Sequence, residues 1–501
     1  MTAWGQLRAL VALRWTLVRS AGVRLGLLGG LALVPLLGGL ALGTRGRVDP
    51  DALYAAVNAA PESFLGFGVL AVIAPLTSSA GSELFPSSQL IAYPVRPSTM
   101  FLSSLVLAPL NLVWIVQLLV LTAETGYLSL GAPHLLMPLL TSACYVVAAT
   151  AVGQAIAWTA SGLRCTAQGR LALRSAIALI AVTAVVVIRS GHGEDVVGSS
   201  YAPWLVRVVK AGASGATATW VIGTGGVLLV ALAALVAGTR LCRWSLRIPQ
   251  DRSAVRSSRV QPRRAQARDE LQALLAVDRA SVWRAPALRR GAIVLAVLPG
   301  LAAAGVGLPW RSLVFLPGLV AAGGGLLFGF NAFCLDATGA VWLASLPHAP
   351  ALVARAKARV TTEAVLVGAG LAALLGGIRA KGVPSGTELV ALLSSTAACS
   401  ALVVALCLSS AVARPHRADL VGPRDAVAPP GALVLASIRL ALPVAVVGGL
   451  MELSASAPDW WVPLLLAIPV ALGSVAWLSR SLGAYDEPWR RSRIVQTVSA
   501  G

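Results

Sequence analysis

The sequence predicts an all-α polytopic membrane protein with about twelve transmembrane helices, arranged as two parallel six-helix repeats with interfacial and short loop helices. Three observations lead to this fold class. The composition is strongly apolar, apolar stretches long enough to cross a bilayer recur along the chain, and polar landmarks of the first half return in the same order in the second half.

The composition excludes an ordinary soluble domain. Of the 501 residues, 57% are hydrophobic and only 12% are charged, and the mean hydropathy is +0.79. A soluble domain carries about 25% charged residues. The six cysteines are not clustered and form no CxxC pair, so they are interpreted as small buried apolar residues and not as disulfides or metal ligands.

Apolar stretches of about 20 residues can each cross a hydrocarbon core of roughly 30 Å. They run over approximately 25–43, 62–80, 101–122, 134–159, 172–190, 217–239, 291–308, 312–331, 360–377, 387–411, 431–451 and 460–480. The first is preceded by a long Arg-bearing segment, so it is interpreted as a membrane helix and not as a cleaved signal peptide.

Basic residues predict the orientation of these spans. With the N-terminus inside, 32 of the 40 Lys and Arg residues fall in inner segments and 8 in outer segments. The positive-inside rule therefore predicts a multi-pass protein of the cell membrane with both termini cytoplasmic. The net charge of +20 does not indicate nucleic acid, because the basic residues lie between the spans, mostly on alternate sides, and the Arg-rich linker has no aromatic interleaving or nucleic-acid motif. Attraction of the basic segments to anionic lipid of the bilayer is the favoured interpretation.

The chain is predicted to divide into a first six-span half, 1–246, a cytoplasmic Arg-rich linker, 247–270, and a second six-span half, 271–501. Because each half has an even number of spans, both halves would have the same orientation, related by an axis along the membrane normal.

Two polar loops are the most informative repeat, and they cover residues 83–97 and 336–350. Each begins with an acid, Glu83 or Asp336, and ends in Pro-x-x-Pro at the same spacing. An acid favours a helix N-terminus, and a helix commonly ends before a Pro. Each loop is therefore predicted to form a short helix on the cytoplasmic face. It is interpreted either as a helix that docks on a motor domain or as a re-entrant or surface helix with no partner. The predicted contacts are Glu83, Leu84, Phe85 and Tyr93 in the first loop and Asp336, Trp342 and Leu346 in the second.

The N-terminus is predicted to form an amphipathic helix on the inner membrane surface. Trp4, Val11 and Trp15 share one face, with Arg8 and Arg14 at its edges. It is interpreted either as a topogenic anchor or as a connecting helix that touches a soluble partner.

Two further amphipathic stretches accompany it. Residues 269–290 are its counterpart before the seventh span, less regular because Asp278 interrupts the apolar stripe. Residues 201–211 are predicted to form a helix in the outer segment between the fifth and sixth spans.

Polar residues within the spans are few. Asn111, Gln117 and Gln154 are candidates for lining a central pathway, although an interhelical hydrogen bond is the favoured interpretation. No Asp, Glu or Lys stands out in the middle of a span, which disfavours ion coupling. The sequence contains no nucleotide-binding or hydrolase motif, so no catalytic residue, metal ligand or bound cofactor is predicted.

With these parts in place, the layout resembles a fused permease subunit of a type-2 ABC exporter. The resemblance covers nearly the whole chain in topology and includes the N-terminal interfacial helix, the loops with Tyr93-Pro94-Val95-Arg96-Pro97 and Pro347-His348-Ala349-Pro350, and the outer helix at 201–211. It departs from the family pattern in the reduced outer segment of the second half and in the missing basic cluster of the first loop.

The resemblance implies ATP-driven alternating access by a chain that is not itself an enzyme. Two copies of a separate ABC ATPase, which carry ATP and Mg²⁺, would bind under the coupling helices, and a hydrophobic or amphipathic substrate would leave the cell between the two halves. A secondary transporter of the major facilitator type and a non-transporting membrane scaffold are the alternatives.

Overall fold

The structure is a computed structural model that describes residues 50–77, 96–107, 112–129, 132–190, 193–248, 269–417 and 430–499. These residues form helices joined by short connections, and no strand occurs among them. Seven of the helices are long and apolar enough to cross a membrane. The chain is therefore an all-helical polytopic membrane protein. It divides into two compact units, Met1–Arg259 and Val260–Gly501.

Several predicted features lie outside the described residues. They are the first span at 25–43, the N-terminal helix with Trp4, Arg8, Val11, Arg14 and Trp15, the first loop with Glu83, Leu84, Phe85 and Tyr93, Asn111, and most of the linker. The side chain of Gln117 is likewise not described.

The first unit contains eight described helices. They are α1 (Pro50–Thr77), α2 (Pro97–Leu107), α3 (Leu112–Leu128), α4 (Leu136–Arg164), α5 (Ala167–Ser190), α6 (Gly193–Ser199), α7 (Ala202–Ser214) and α8 (Thr217–Arg247). The predicted span at 101–122 thus corresponds to two helices, α2 and α3, separated by residues that are not described.

Helix α4 is the centre of the first unit and packs against α8 and α1. Its small residues permit this close approach. A Cβ atom on Gly153 would come within 1.9 Å of the Ala71 carbonyl oxygen, so only glycine fits where α4 crosses α1. Small residues at helix crossings are typical of membrane proteins, where van der Waals packing drives helix association.

The predicted outer helix of the first unit is α7. Leu205, Val208 and Val209 are buried against the unit, whereas Arg207 and Lys210 are exposed. The helix ends at Gly215, whose φ of 80° is the left-handed conformation that a glycine C-cap adopts readily.

The second unit continues the numbering. Its helices are α9 (Glu270–Arg284), α10 (Pro286–Val306), α11 (Trp310–Leu313), α12 (Leu316–Gly324), α13 (Gly339–Ser345), α14 (Pro350–Gly377), α15 (Gly386–Ala413), α16 (Pro430–Ser454), α17 (Val462–Asp486) and α18 (Pro488–Ser499). Helix α14 is ten residues longer at its start than the predicted span at 360–377, because the polar segment with Arg355, Lys357 and Arg359 is helical too.

Helix α12 widens into a π-helical turn at Gly325–Gly329. The Asn331 side chain donates to the Leu326 and Leu327 carbonyl oxygens, each at 3.3 Å, which satisfies carbonyls that the wide turn leaves without regular partners. The Asn331 Oδ1 atom lies 3.0 Å from His416 Nε2 and so connects this turn to the segment after α15.

The second loop differs from its prediction at its beginning. A helix was expected to start at Asp336, but Asp336 ends a 3₁₀ turn, Cys334–Asp336, and α13 starts at Gly339. Ala337 separates the two with a φ of 44°. The physical reason is that the Asp336 carboxylate pairs with a lysine of α14 and does not cap a helix. The end agrees with the prediction, since α13 stops before Pro347.

Candidate functional site

A buried ion triad holds the second loop in place. Lys357 Nζ on α14 lies 2.6 Å from Asp336 Oδ1 and 2.6 Å from Asp278 Oδ1 on α9. The side chains of Lys357, Asp278 and Asp336 are only 3%, 9% and 13% exposed. A buried charge is tolerated only when it is paired, so the three elements that carry these groups are constrained to one arrangement.

The triad explains an irregularity of the sequence. Asp278 interrupts the apolar stripe of α9 because it faces inward to Lys357. Burial raises the pKa of Asp278, and the ammonium of Lys357 opposes that rise. Lys357 was not singled out from the sequence, because as one of several basic residues at the start of a span it has no local signal of burial. The burial of Lys357 could be inferred only by considering three segments together, since the lysine and the two acids that pair with it lie on three different apolar segments.

An exposed ion cluster lies beside the triad. Arg279 Nε and Nη2 donate to the two carboxylate oxygens of Glu363 at 2.8 and 2.7 Å, and Arg359 Nε lies 3.3 Å from Glu363 Oε1. The Glu363 pairing raises the pKa of the Arg279 guanidinium. Helix α9 is therefore connected to α14 at two successive residues, by a buried pair from Asp278 and an exposed pair from Arg279.

Helix α13 presents an apolar surface to solvent. Val341, Trp342 and Leu346 are 54%, 66% and 37% exposed. On the other side of the helix, Ala340 is buried and Leu343 packs against the same cluster. We call Val341, Trp342 and Leu346 the α13 surface. Of the predicted contacts in this loop, Trp342 and Leu346 lie on it, whereas Asp336 is buried behind it in the triad.

The last helix, α18, packs against α13 and against the turn that carries Asp336. Ile494 and Val498 are buried in a cluster with Phe333 and Tyr485, whose rings stack at 5.1 Å. Sequence analysis did not identify α18, although the four-residue spacing of Ile494 and Val498 among arginines is an amphipathic signal. Together, α14, α9 and α18 make α13 a short helix on a rigid base.

The remaining predicted polar residue has a different setting. Gln154 is buried on α4, and its Oε1 atom has no hydrogen-bond partner among the described residues. No group of three or more His, Cys, Asp or Glu side chains in the described ranges could hold a metal ion.

Comparisons with known proteins found no relative of this chain. No protein-family model, no curated protein and no solved structure matches the chain.

Proposed function

We propose that this chain is the transmembrane permease of an ATP-driven ABC exporter, a fused subunit of two six-span repeats that acts with separate ATPase subunits. The observation that carries the proposal is the α13 surface. It is an exposed apolar helix between two membrane helices, with Trp342 at its centre and a buried ion triad at its base. A partner that pushes on this helix would move α9 and α14 with it.

The packing of the two units supports the repeat on which this proposal depends. The most extensive contact in the first unit joins α4 and α8, and that in the second unit joins α15 and α17. In the proposed twelve-span order, these are the fourth and sixth spans of each half. The arginine-rich ends of the spans support cytoplasmic termini, with the α13 surface on the cytoplasmic side.

The proposed cycle needs no chemistry on this chain. Two ATPase copies bind ATP and Mg²⁺, and their closure moves the loops at 83–97 and 336–350. A hydrophobic or amphipathic substrate then leaves the membrane between the halves. Its class follows from the apolar character of the spans and from the family resemblance.

The test is co-purification with the ABC ATPase of the same source, combined with ATPase assay of the complex. Trp342→Glu places a charge in the centre of the α13 surface and is expected to abolish co-purification or reduce ATPase stimulation by about tenfold, the loss of roughly 1.4 kcal/mol or more of interface energy. The matched control is Trp460→Glu, in which a tryptophan of similar exposure, 60%, lies between α16 and α17 at the opposite end of the spans. The assignment of the α13 surface would be contradicted if the two variants reduced co-purification and ATPase stimulation equally, or if neither variant reduced them.

A second candidate is a secondary transporter, and one observation favours it. Lys357 lies in a helix long and apolar enough to span the membrane, and it pairs with two carboxylates from other segments. Buried ionisable groups of this kind occur in proton relays. Proteoliposomes that hold this chain alone distinguish the two. Substrate movement driven by a pH gradient, with no ATPase present, would support the secondary transporter and exclude the exporter.

A further inference from the structure

An open cleft lies in the second unit, away from the α13 surface. It has a volume of about 730 Å³, within the range of roughly 300–1,000 Å³ of small-molecule pockets, and it is bounded by α15, α17 and α18. We call it the Arg480 cleft. Its lining includes Val412 from α15, Gly473, Ala476, Arg480 and Ala484 from α17, and Arg490 from α18.

The floor of the Arg480 cleft is a narrow apolar trough. Gly473, Ala476 and Ala484 lie on one face of α17 and line the cleft with small residues. A Cβ atom added at Gly473 would meet nothing within 4 Å. From Gly473 to Ala484 the helix rises about 16 Å at roughly 1.5 Å per residue. This length is enough for part of an acyl chain to lie along the helix.

The rim of the cleft is basic. Arg480 lies on the same face of α17, between Ala476 and Ala484, and among the described residues no carboxylate is within 4 Å of its guanidinium. Arg490 lines the cleft from α18 and forms an ion pair in which its Nε atom lies 2.8 Å from Glu487 Oε2. Residues 480–493 contain four arginines and two acids, so the rim has a net positive charge.

Aromatic side chains accompany the basic rim. Trp477 lines the cleft and is 47% exposed. The Trp489 ring lies under the Arg490 and Arg493 guanidinium groups, at 5.0 and 5.3 Å from its centroid. Tryptophan and arginine at the end of an apolar helix are typical of the level of the lipid headgroups.

We propose that the Arg480 cleft binds one anionic glycerophospholipid, with its phosphate between Arg480 and Arg490 and an acyl chain along the trough of α17. Guanidinium groups recognise phosphate oxygens through paired charge-assisted hydrogen bonds. The positive rim disfavours a choline lipid, whose quaternary ammonium would approach the same arginines. This site requires only that the chain is in a membrane, so it does not depend on the proposed transport function.

The lipid would also stabilise the second unit. The cleft lies where the ends of α15 and α17 meet α18, and Arg493 Nη2 donates to the Ala413 carbonyl oxygen at 2.9 Å on the same end of α15. A bound phospholipid would fill the remaining space between these three helices and hold α18 against them. Binding to the folded state alone raises its stability.

The experiment is native mass spectrometry of the full chain in detergent, titrated with phosphatidylglycerol or phosphatidylcholine of the same acyl chains. We expect the phosphatidylglycerol adduct to form at about tenfold lower lipid concentration. The double variant Arg480→Gln/Arg490→Gln is expected to remove that preference. Gly473→Leu fills the trough without changing charge, and it is expected to weaken the phosphatidylglycerol adduct while preserving thermal stability in lipid-free detergent.

The control is Arg355→Gln, which removes an exposed arginine of α14 outside the cleft and should leave the lipid preference unchanged. A large excess of inorganic phosphate distinguishes a lipid from a free anion. Displacement of the lipid by phosphate would show an anion site and overturn the proposal. Equal affinity for the two lipids would also overturn it. So would a loss of phosphatidylglycerol binding in the arginine variant with no loss in Gly473→Leu, because that combination indicates attraction to surface charge alone.

Discussion

Each unit contains a buried polar cluster, and the two clusters differ in chemistry, although the first unit also has a carboxylate contact, from Ser63 Oγ to Glu124 Oε1 at 2.9 Å. In the first unit, hydroxyl groups join the helices: the Tyr145 hydroxyl donates to the Phe64 carbonyl oxygen and lies 2.9 Å from the Tyr201 hydroxyl at the start of α7. In the second unit, full charges do so, with Lys357 between Asp278 and Asp336. Neutral hydrogen bonds between membrane helices contribute about 0.6 kcal/mol on average. A broken buried ion pair costs about 3–5 kcal/mol.

The two polar clusters also fix different segments of the chain. The tyrosine pair fastens α7, which is well packed, whereas the segment between α16 and α17 in the second unit exposes Trp460 and Trp461. The ion triad fastens the loop that carries α13. The buried ion triad of the second unit therefore lies at the end of the helices where a motor protein is proposed to act.

The largest expected effect comes from breaking the triad. Lys357→Met leaves two buried carboxylates without a partner and should lower the free energy of unfolding by about 3–5 kcal/mol. Thermal unfolding of the purified protein, followed by tryptophan fluorescence, measures the loss. The triple variant Asp278→Asn/Lys357→Met/Asp336→Asn removes the charges together and should recover part of it. A loss below about 1 kcal/mol would show that the triad does not hold the loop.

A smaller effect is expected in the first unit. Tyr145→Phe keeps the ring packing against Phe64 and Phe67 but removes the hydroxyl shared by two hydrogen bonds. The expected loss of stability is about 1 kcal/mol. Tyr127→Phe, at a residue that is 39% exposed, is the matched control and should be neutral. A loss as large as that of Lys357→Met would remove the proposed contrast between the units.

The exposed ion cluster of Arg279, Arg359 and Glu363 shows how much an ion pair contributes to stability when it is not buried. Arg279→Gln removes the bidentate pair with Glu363, one residue from the buried Asp278. Because Arg279 is 53% exposed, the expected loss is only about 0–1 kcal/mol and should shrink further at high salt. Unfolding measured at low and high salt tests this, and a salt-independent loss would contradict it.

The smallest effect concerns pH. Burial lowers the pKa of His416, whose Nε2 lies 3.0 Å from Asn331 Oδ1. With a folded-state pKa below the ordinary value of 6.5, the neutral imidazole contributes stability that is present above pH 6.5 and is lost as pH falls through the folded-state pKa. Unfolding temperatures between pH 7.5 and 5 should therefore decline below 6.5, and His416→Gln should reduce that slope. An identical slope in the variant would assign the decline to other groups.

Hydropathy was sufficient to predict the membrane class and most helix positions in the described ranges. The spans predicted at 217–239 and 387–411 lie within α8 and α15, and the span predicted at 134–159 begins two residues before α4. This works because a helix in lipid satisfies its own backbone hydrogen bonds, so an apolar run of sufficient length has one stable form. Boundaries were less accurate where polar residues are helical too, as at the start of α14.

The second loop shows where sequence reasoning stops. A short helix lies in this loop and ends before Pro347, but it starts at Gly339 and not at Asp336, and Trp342 and Leu346 are exposed there. Asp336 was assigned to the docking contacts because an acid at a helix start is locally favourable. Its actual partner, Lys357, is 21 residues away and on another helix, so no local pattern could indicate the pairing.

The amino-acid sequence by itself determined that this protein is helical and lies in a membrane, and its prolines determined where the second loop stops being helical. These outcomes depend on local composition and on the polarity of the solvent around each helix. Only the tertiary structure decided which charges are buried, which face of α13 remains open, and where α17 leaves a trough beside arginines. Each of these depends on the approach of residues that are distant in the chain, and burial exists only once the helices have packed.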